Sequence, residues 1–312
     1  METAVVLVIF KRPDTTQRVI EAIRLAAPQK LFVIADGPRS DHPEETDKCY
    51  ETRQLIEGVD WNCQVFKNYS DINLGLKKRI SSGLTWVFEQ VETAIILEDD
   101  CVPNTSFFAY CSELLEKYKD DEKIFCITGH NHLGDWKSDD QSFHFSAYFD
   151  CWGWATWRRV WQLYDPHMSA WSSPNIKKNI REFIDNDQQF ENRSRVLDKA
   201  YNGKIDSWAY PFFFMCLMHS GMTITPAVNV ISNVGFSKNA TNTKSSEDTR
   251  ANLRVASISF PLKPPKETAI DREYDQQRFM KVWHRSLKAR TVQKLRKAIS
   301  YALSIFKVKI GL

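Results

Sequence analysis

A chain of 312 residues with 43% hydrophobic and 26% charged residues can bury a large core, which excludes an intrinsically disordered protein. Its formal net charge of +3 joins two unlike parts: from Lys281 onward there are nine basic residues and no acidic ones, so the body before them carries −6. A slightly acidic body is not that of a nucleic-acid binder, and the basic end suits an anionic surface.

In chain order, the apolar run AVVLVIF predicts a buried strand, and DTTQRVIEAIRLAA predicts a helix capped by Asp14 or Thr15 with apolar positions at Val19, Ile20, Ile23 and Leu25. KLFVIADG reads as a second strand, EETDKCYETRQLIEG as a helix, NCQVFKN as a third strand, and residues from about Leu76 to Gln90 as another helix. The order implies an α/β fold with a mostly parallel central sheet flanked by helices. The next strand, AIILEDDCVP, ends in Glu98, Asp99 and Asp100. Three carboxylates at the rim of a core repel one another, so they meet water, a basic partner or a divalent cation.

Lys11-Arg12-Pro13, Asp36-Gly37, Asn73-Leu74-Gly75 and Glu98-Asp99-Asp100 each follow a predicted strand, and open parallel sheets bind ligands beyond those ends. There is neither a GxGxxG nor a GxxxxGK[ST] motif, so a dinucleotide fold and a P-loop are not supported. The seven cysteines include no CxxC pair, which predicts free thiols in a reducing compartment; Cys101 reads as a small buried residue or as a reactive thiol. AVVLVIF and TAIILE are too short to span a bilayer and no cleavable leader is evident, so the expectation is a soluble, cytoplasmic protein.

The second half is rich in aromatics. Trp152, Trp154, Trp157 and Trp161 are expected within one turn-and-helix segment, the last two as core. Trp152-Gly153-Trp154 either packs in the core or lets the backbone approach a ligand, since aromatic faces suit sugar rings. His130 and His132 in GHNH read as solvated loop histidines, with metal ligation the alternative. NVISNVGFSKNATNTKSSEDTR reads as a polar loop long enough for a lid.

VLVIFKRP, FVIADGPR, NLGLKKRISSGLTWVFE, AIILEDDCVPNTSFFAYCSELLEKY, CWGWATWRRVW and KIDSWAY together resemble, over about residues 4–245, the GT-A glycosyltransferases. The chain is most similar to bacterial nucleotide-diphospho-sugar transferases related to N-acetylglucosaminyltransferase I. The resemblance implies a Rossmann-like GT-A catalytic domain over residues 1–265. Residues 1–128 would form the nucleotide-sugar half, 129–265 the acceptor-side half, and 266–312 a basic amphipathic helical tail. It implies Mn²⁺ or Mg²⁺ on Asp100, with Glu98 and Asp99 bonding ribose, sugar hydroxyls or metal-bound water. Lys11, Arg12 and Pro13 would border the nucleoside, Asp36 the base or ribose, and Asn73 and Arg79 the donor pocket. Asp206 in KIDSWAY would be the base of an inverting transfer, or a helix N-cap, or both. Trp152, Gly153, Trp154 and Trp208 would face the acceptor. Asn242 stands where many relatives carry a histidine, which speaks against acceptor or diphosphate contacts from that loop.

The partners so implied are a nucleotide-diphosphate sugar, UDP-linked by preference, and a glycan or glycolipid acceptor in bacterial cell-surface polysaccharide assembly. The alternatives are a sugar nucleotidyltransferase, a metal phosphoesterase, or a nucleotide-sugar-binding module without catalysis. The tail, with apolar Val282, Leu287, Leu295, Ile299, Leu303 and Phe306 among its cations, is expected either to dock on the domain or to hold the protein peripherally on anionic lipid.

Overall fold

The computed structural model describes residues 1–235 and 253–284. Strand β1 (Ala4–Ile9) is buried throughout and runs into α1 (Pro13–Ala26). The helix begins at Pro13, because a proline at the first helical position loses no hydrogen bond. Asp14 and Thr15 therefore lie inside the first turn and do not cap it; Arg12 holds the N-cap position, and the Thr16 hydroxyl donates to its carbonyl at 2.7 Å. Val19, Ile20 and Ile23 are buried as a helical stripe requires, whereas Leu25 falls off that stripe and is 74% exposed.

β2 (Lys30–Ala35), α2 (Glu45–Gln54) with a 3₁₀ turn to Gly58, β3 (Gln64–Tyr69), α3 (Leu76–Phe88) and β4 (Thr93–Glu98) follow as expected from the alternation. In β4, Ala94 to Leu97 are at most 1% exposed, and burying each large aliphatic side chain contributes about 1.5–3 kcal/mol. The short β5 (Cys101–Pro103) leads to α4 (Ser106–Lys117), then β6 (Ile124–Thr128) and β7 (Phe143–Ser146). Next come β8 (Trp154–Trp157), α5 (Arg158–Trp161), α6 (Pro174–Ile184), α7 (Asp187–Tyr201), α8 (Ala209–Met218), β9 (Met222–Pro226) and β10 (Ile231–Asn233). The expected turn-and-helix at the tryptophans is thus corrected: Trp154 to Trp157 form a strand, and only Arg158 to Trp161 are helical.

Among the described residues the main sheet has eight strands in the order β3-β2-β1-β4-β8-β6-β9-β7. β8 is antiparallel to both β4 and β6, β7 is antiparallel to β9, and the remaining pairs are parallel. The chain moves outward from β1 to β3 and then returns to the other side of β1 as β4. That reversal opens a crevice at the carboxyl ends of β1 and β4. β8 runs the other way, so its first residue, Trp154, pairs with Ile96 and Thr128 near those same ends. A separate two-stranded ribbon pairs β5 with β10, Cys101 opposite Asn233.

The chain divides into two compact units, Met1–Asp271 and Arg272–Leu312. In the second, α9 (Arg272–Phe279) continues into a π turn at Met280–His284. The tail positions from Leu287 to Phe306 lie outside the described residues, as does Asn242. No helix among the described residues is long and apolar enough to cross a membrane.

Candidate active site

Val8 of β1 lies in register with Glu98 of β4, so the chain leaving each strand enters the same crevice. From the β1 side, the Phe10 N–H donates to Asp99 Oδ2 at 3.3 Å. Arg12, placed at the start of α1, reaches Asp99 Oδ1 at 3.1 Å and Asp100 Oδ2 at 2.7 Å through one guanidinium nitrogen. From the other side, Asn233 Nδ2 donates to Asp100 Oδ1 at 3.4 Å and the Val234 N–H donates to the Asp100 carbonyl at 2.8 Å. A Cβ on Gly235 would collide with the Asp100 carboxylate, so this position must lack a side chain if Asp100 is to stay where it is. Cys101 Sγ donates to Asp100 Oδ1 at 3.5 Å; its thiol is buried and its pKa raised by that burial, which makes it packing and not a reactive thiolate.

Burial, then the charges of Asp100 and Asp99, push the Glu98 carboxyl up, while Arg12 and a hydrogen bond from Trp208 oppose the shift. Asp99 is also raised, by burial before all else, with Arg12 working against it. Burial acts against the charge of Arg12 too, but Asp99 and Asp100 outweigh it and its pKa rises. One guanidinium thus touches two of three crowded carboxylates. A hard divalent ion takes oxygen ligands, often one or two carboxylates together with substrate phosphates. The side-chain acids here offer oxygen only, the donor type that Mn²⁺ or Mg²⁺ takes.

The other expected donor residues are brought to the same end of the sheet, several of them already engaged. Asp36 is buried; its Oδ1 accepts from Gly37 N at 3.0 Å and Leu74 N at 2.8 Å, and its Oδ2 from Gly75 N at 3.1 Å, so it ties the loop after β2 to the loop after β3. Burial raises its pKa against those three donors. Asn73 Nδ2 completes that tie on the Gly37 carbonyl at 2.8 Å. Arg79 is buried, donates to the Asn68 carbonyl at 3.1 Å, and has its pKa lowered by burial. Pro13 acts through α1, as the residue that sets Arg12.

Lys11 ion-pairs with Glu45, which Arg39 also clamps. Glu45 gave no signal in the sequence, yet its side chain is 1% exposed. Burial alone would raise its pKa, but the hydrogen bonds from Arg39 and Lys11 outweigh burial and bring it from 4.5 to about 2. The stability it contributes is therefore fully present above pH 4.5 and is lost as pH falls toward 2. Glu45→Gln is expected to destabilise the fold by about 1–3 kcal/mol at pH 7. In urea unfolding the difference from the parent chain should shrink on acidification to pH 3; a pH-independent difference would contradict the pairing.

Asp206 is exposed in the turn before α8. It is not the helix cap: the Ser207 hydroxyl accepts from Ala209 N at 3.2 Å, and Trp208 holds the N-cap position. Its Oδ2 lies 3.6 Å from where a Gly75 Cβ would stand, so it borders the loop after β3. Trp208 stacks on Trp154 at 5.4 Å, and both are at most 2% exposed among Phe149 and Phe212. These two indoles are therefore packed in the core and present no open face to an acceptor; of the expected aromatics only Trp152 keeps accessible surface. Gly153 is needed for a different reason than ligand approach. It has φ 61°, and a Cβ there would stand 2.5 Å from Ile231. His130 and His132 are corrected as well: they are 1% and 6% exposed, not solvated.

No protein-family model matches the chain, and no curated protein matches it. Among solved structures it is similar to S. aureus TarS, with 11% identity and a TM-score of 0.31 over 41% of this chain and 21% of that one. It is similar to UDP-glucose pyrophosphorylase complexed with UDP-glucose, with 9% identity and a TM-score of 0.32 over 52% and 79%. HddC from Yersinia pseudotuberculosis shares 10% identity and a TM-score of 0.33 over 52% and 80%. The chain thus spans about a fifth of the length of TarS.

Proposed function

We propose that this chain is a metal-dependent, inverting glycosyltransferase of the GT-A type, related to N-acetylglucosaminyltransferase I. It moves a sugar from a nucleotide-diphosphate donor, taken as a UDP-sugar, to a glycan or glycolipid acceptor in bacterial cell-surface polysaccharide assembly. The observation that carries this reading is the acidic end of β4 at the sheet's reversal point, held by Arg12 from the β1 side; Asp206 stands beside Gly75 in the loop after β3.

In this reading Asp100 holds Mn²⁺ or Mg²⁺, which when bound neutralises charge on the diphosphate as it leaves. Arg12 supports that neutralisation from the β1 side, and Glu98 and Asp99 accept hydrogen bonds from donor hydroxyls. Asp206 takes the proton of the acceptor hydroxyl as its oxygen bonds the anomeric carbon and the carbon–phosphate oxygen bond breaks. Trp152 is the aromatic surface for the acceptor. The cationic tail places the protein peripherally on the cytoplasmic face of an anionic membrane.

A panel of labelled nucleotide sugars, incubated with Mn²⁺ and candidate acceptors, tests the reading by its products. Release of nucleoside diphosphate with a transferred sugar of opposite anomeric configuration supports it. Pyrophosphate-dependent formation of a nucleoside triphosphate would assign a nucleotidyltransferase instead, and binding without turnover would assign a binding module.

A further inference from the structure

A second group of metal-competent side chains stands on the turn after β6 and on the segment that enters β8. β6 ends at Thr128, and the chain then turns through Gly129, His130, Asn131 and His132. Gly129 makes this turn possible, since a Cβ there would stand 2.5 Å from Ile231 and 2.7 Å from Phe107. The turn is pinned on both flanks. The His130 N–H donates to Thr128 Oγ1 at 3.2 Å, while Asn131 Nδ2 donates to the carbonyls of Pro226 and Ala227, each at 2.9 Å. From the segment entering β8, Asp150 meets this turn. Its Oδ2 contacts His132 Nε2 and its Oδ1 accepts the Trp152 N–H at 3.4 Å. The ligand atoms of His130, His132 and Asp150 all lie within 4.8 Å of one another. The Trp152 ring meets the His130 ring at 4.6 Å, edge to face, and lies 6.4 Å from that of His132.

We propose that His130, His132 and Asp150 form a binding site for a divalent transition-metal ion of the Zn²⁺ class. Two imidazoles and one carboxylate suit Zn²⁺, Co²⁺ or Ni²⁺, and differ in kind from the oxygen-only set around Asp100, which suits Mg²⁺ or Mn²⁺. Ligand atoms at about 2.0–2.2 Å from a shared ion stand roughly 3.3 Å apart, so side-chain rotation within the present spacing suffices. An ion between His132 and Asp150 would take His132 through an unprotonated Nε2, with the ring N–H carried on Nδ1. Ligands come from two segments whose backbones are already fixed, Thr128 and Asn131 on one and the Trp152 N–H on the other, as a preorganised site requires. The other cluster with suitable side chains among the described residues, His42, Glu44 and Glu45, is a poorer candidate because Lys11 and Arg39 hold Glu45. A bound ion would tie the turn after β6 to the segment that leads into β8, with Trp152 resting on one of its ligands. The site does not depend on the proposed sugar transfer.

The full-length chain, stripped with a chelator and titrated with Zn²⁺ without nucleotide, is expected to bind one equivalent by calorimetry. His130→Asn and His132→Asn should each weaken that binding by at least about tenfold. Asp100→Ala should bind Zn²⁺ like the parent chain, which separates this site from the one proposed for the nucleotide. X-ray absorption of the zinc-loaded parent chain should show two imidazoles and oxygen, with no sulfur, and this reading stands even if a histidine variant fails to fold. Absence of Zn²⁺ binding by the parent chain, a shell containing sulfur or a single imidazole, or unchanged binding in both folded histidine variants would overturn the proposal.

Discussion

Asp100→Ala is expected to abolish sugar transfer, lowering kcat by at least about 10²–10³-fold, while the chain remains folded. The carboxylate carries the Arg12 contact at 2.7 Å and the Asn233 contact at 3.4 Å, so its loss removes one anchor of the guanidinium together with the ion seat proposed above. Folding should survive, because Arg12 keeps Asp99 at 3.1 Å and the backbone bond from Val234 to the Asp100 carbonyl does not involve the side chain. Thermal unfolding beside the transfer assay separates the two effects. Turnover at the parent rate would remove Asp100 from the machinery.

Asp206→Asn is expected to lower kcat by about 10²–10⁴-fold with nucleotide affinity nearly unchanged, the result of removing a general base that touches neither ion nor nucleotide. The structure makes this a clean experiment. Loss of a helix cap costs about 0.5–2 kcal/mol and could mimic a catalytic defect, but Asp206 makes no cap bond: Trp208 is the N-cap of α8, and the nearby hydroxyl that accepts from Ala209 N belongs to Ser207. Asp206 is exposed and can be neutralised without disturbing α8. A fully active Asn variant would leave the acidic strand end as a donor site and require a different base.

The parts legible in the sequence were those with local periodicity. β1, β2 and β4 follow from apolar runs and α1 and α3 from 3.6-residue stripes, so the acidic turn at Glu98 to Asp100 is legible at a strand end, whereas α2 carries no such stripe. β8 was misread because WATW is too short to show alternation and sits in an aromatic run shared with α5. The partners of Asp100 were invisible for another reason: Asn233 and Gly235 are brought to it by the β5–β10 ribbon, and only tertiary contact explains why Gly235 must lack a side chain. Glu45 carries no local signal in the sequence, since nothing beside it says that Lys11 and Arg39 converge on it. The histidines of GHNH read as solvated because a polar loop usually is; the Asn131 side chain, bonded to the carbonyls of Pro226 and Ala227, holds the turn against the end of β9 and its following loop.

The central claim is that the end of β4 receives a nucleotide diphosphate together with a divalent ion, and calorimetry of UDP binding tests it most directly. Bare diphosphate beside Glu98, Asp99 and Asp100 is repelled except through Arg12, so affinity should be weak in EDTA and rise at least about tenfold with Mn²⁺ or Mg²⁺. In Asp100→Ala that metal-dependent gain should vanish. Equal affinity with and without the ion, or a gain that survives the loss of Asp100, would contradict the account.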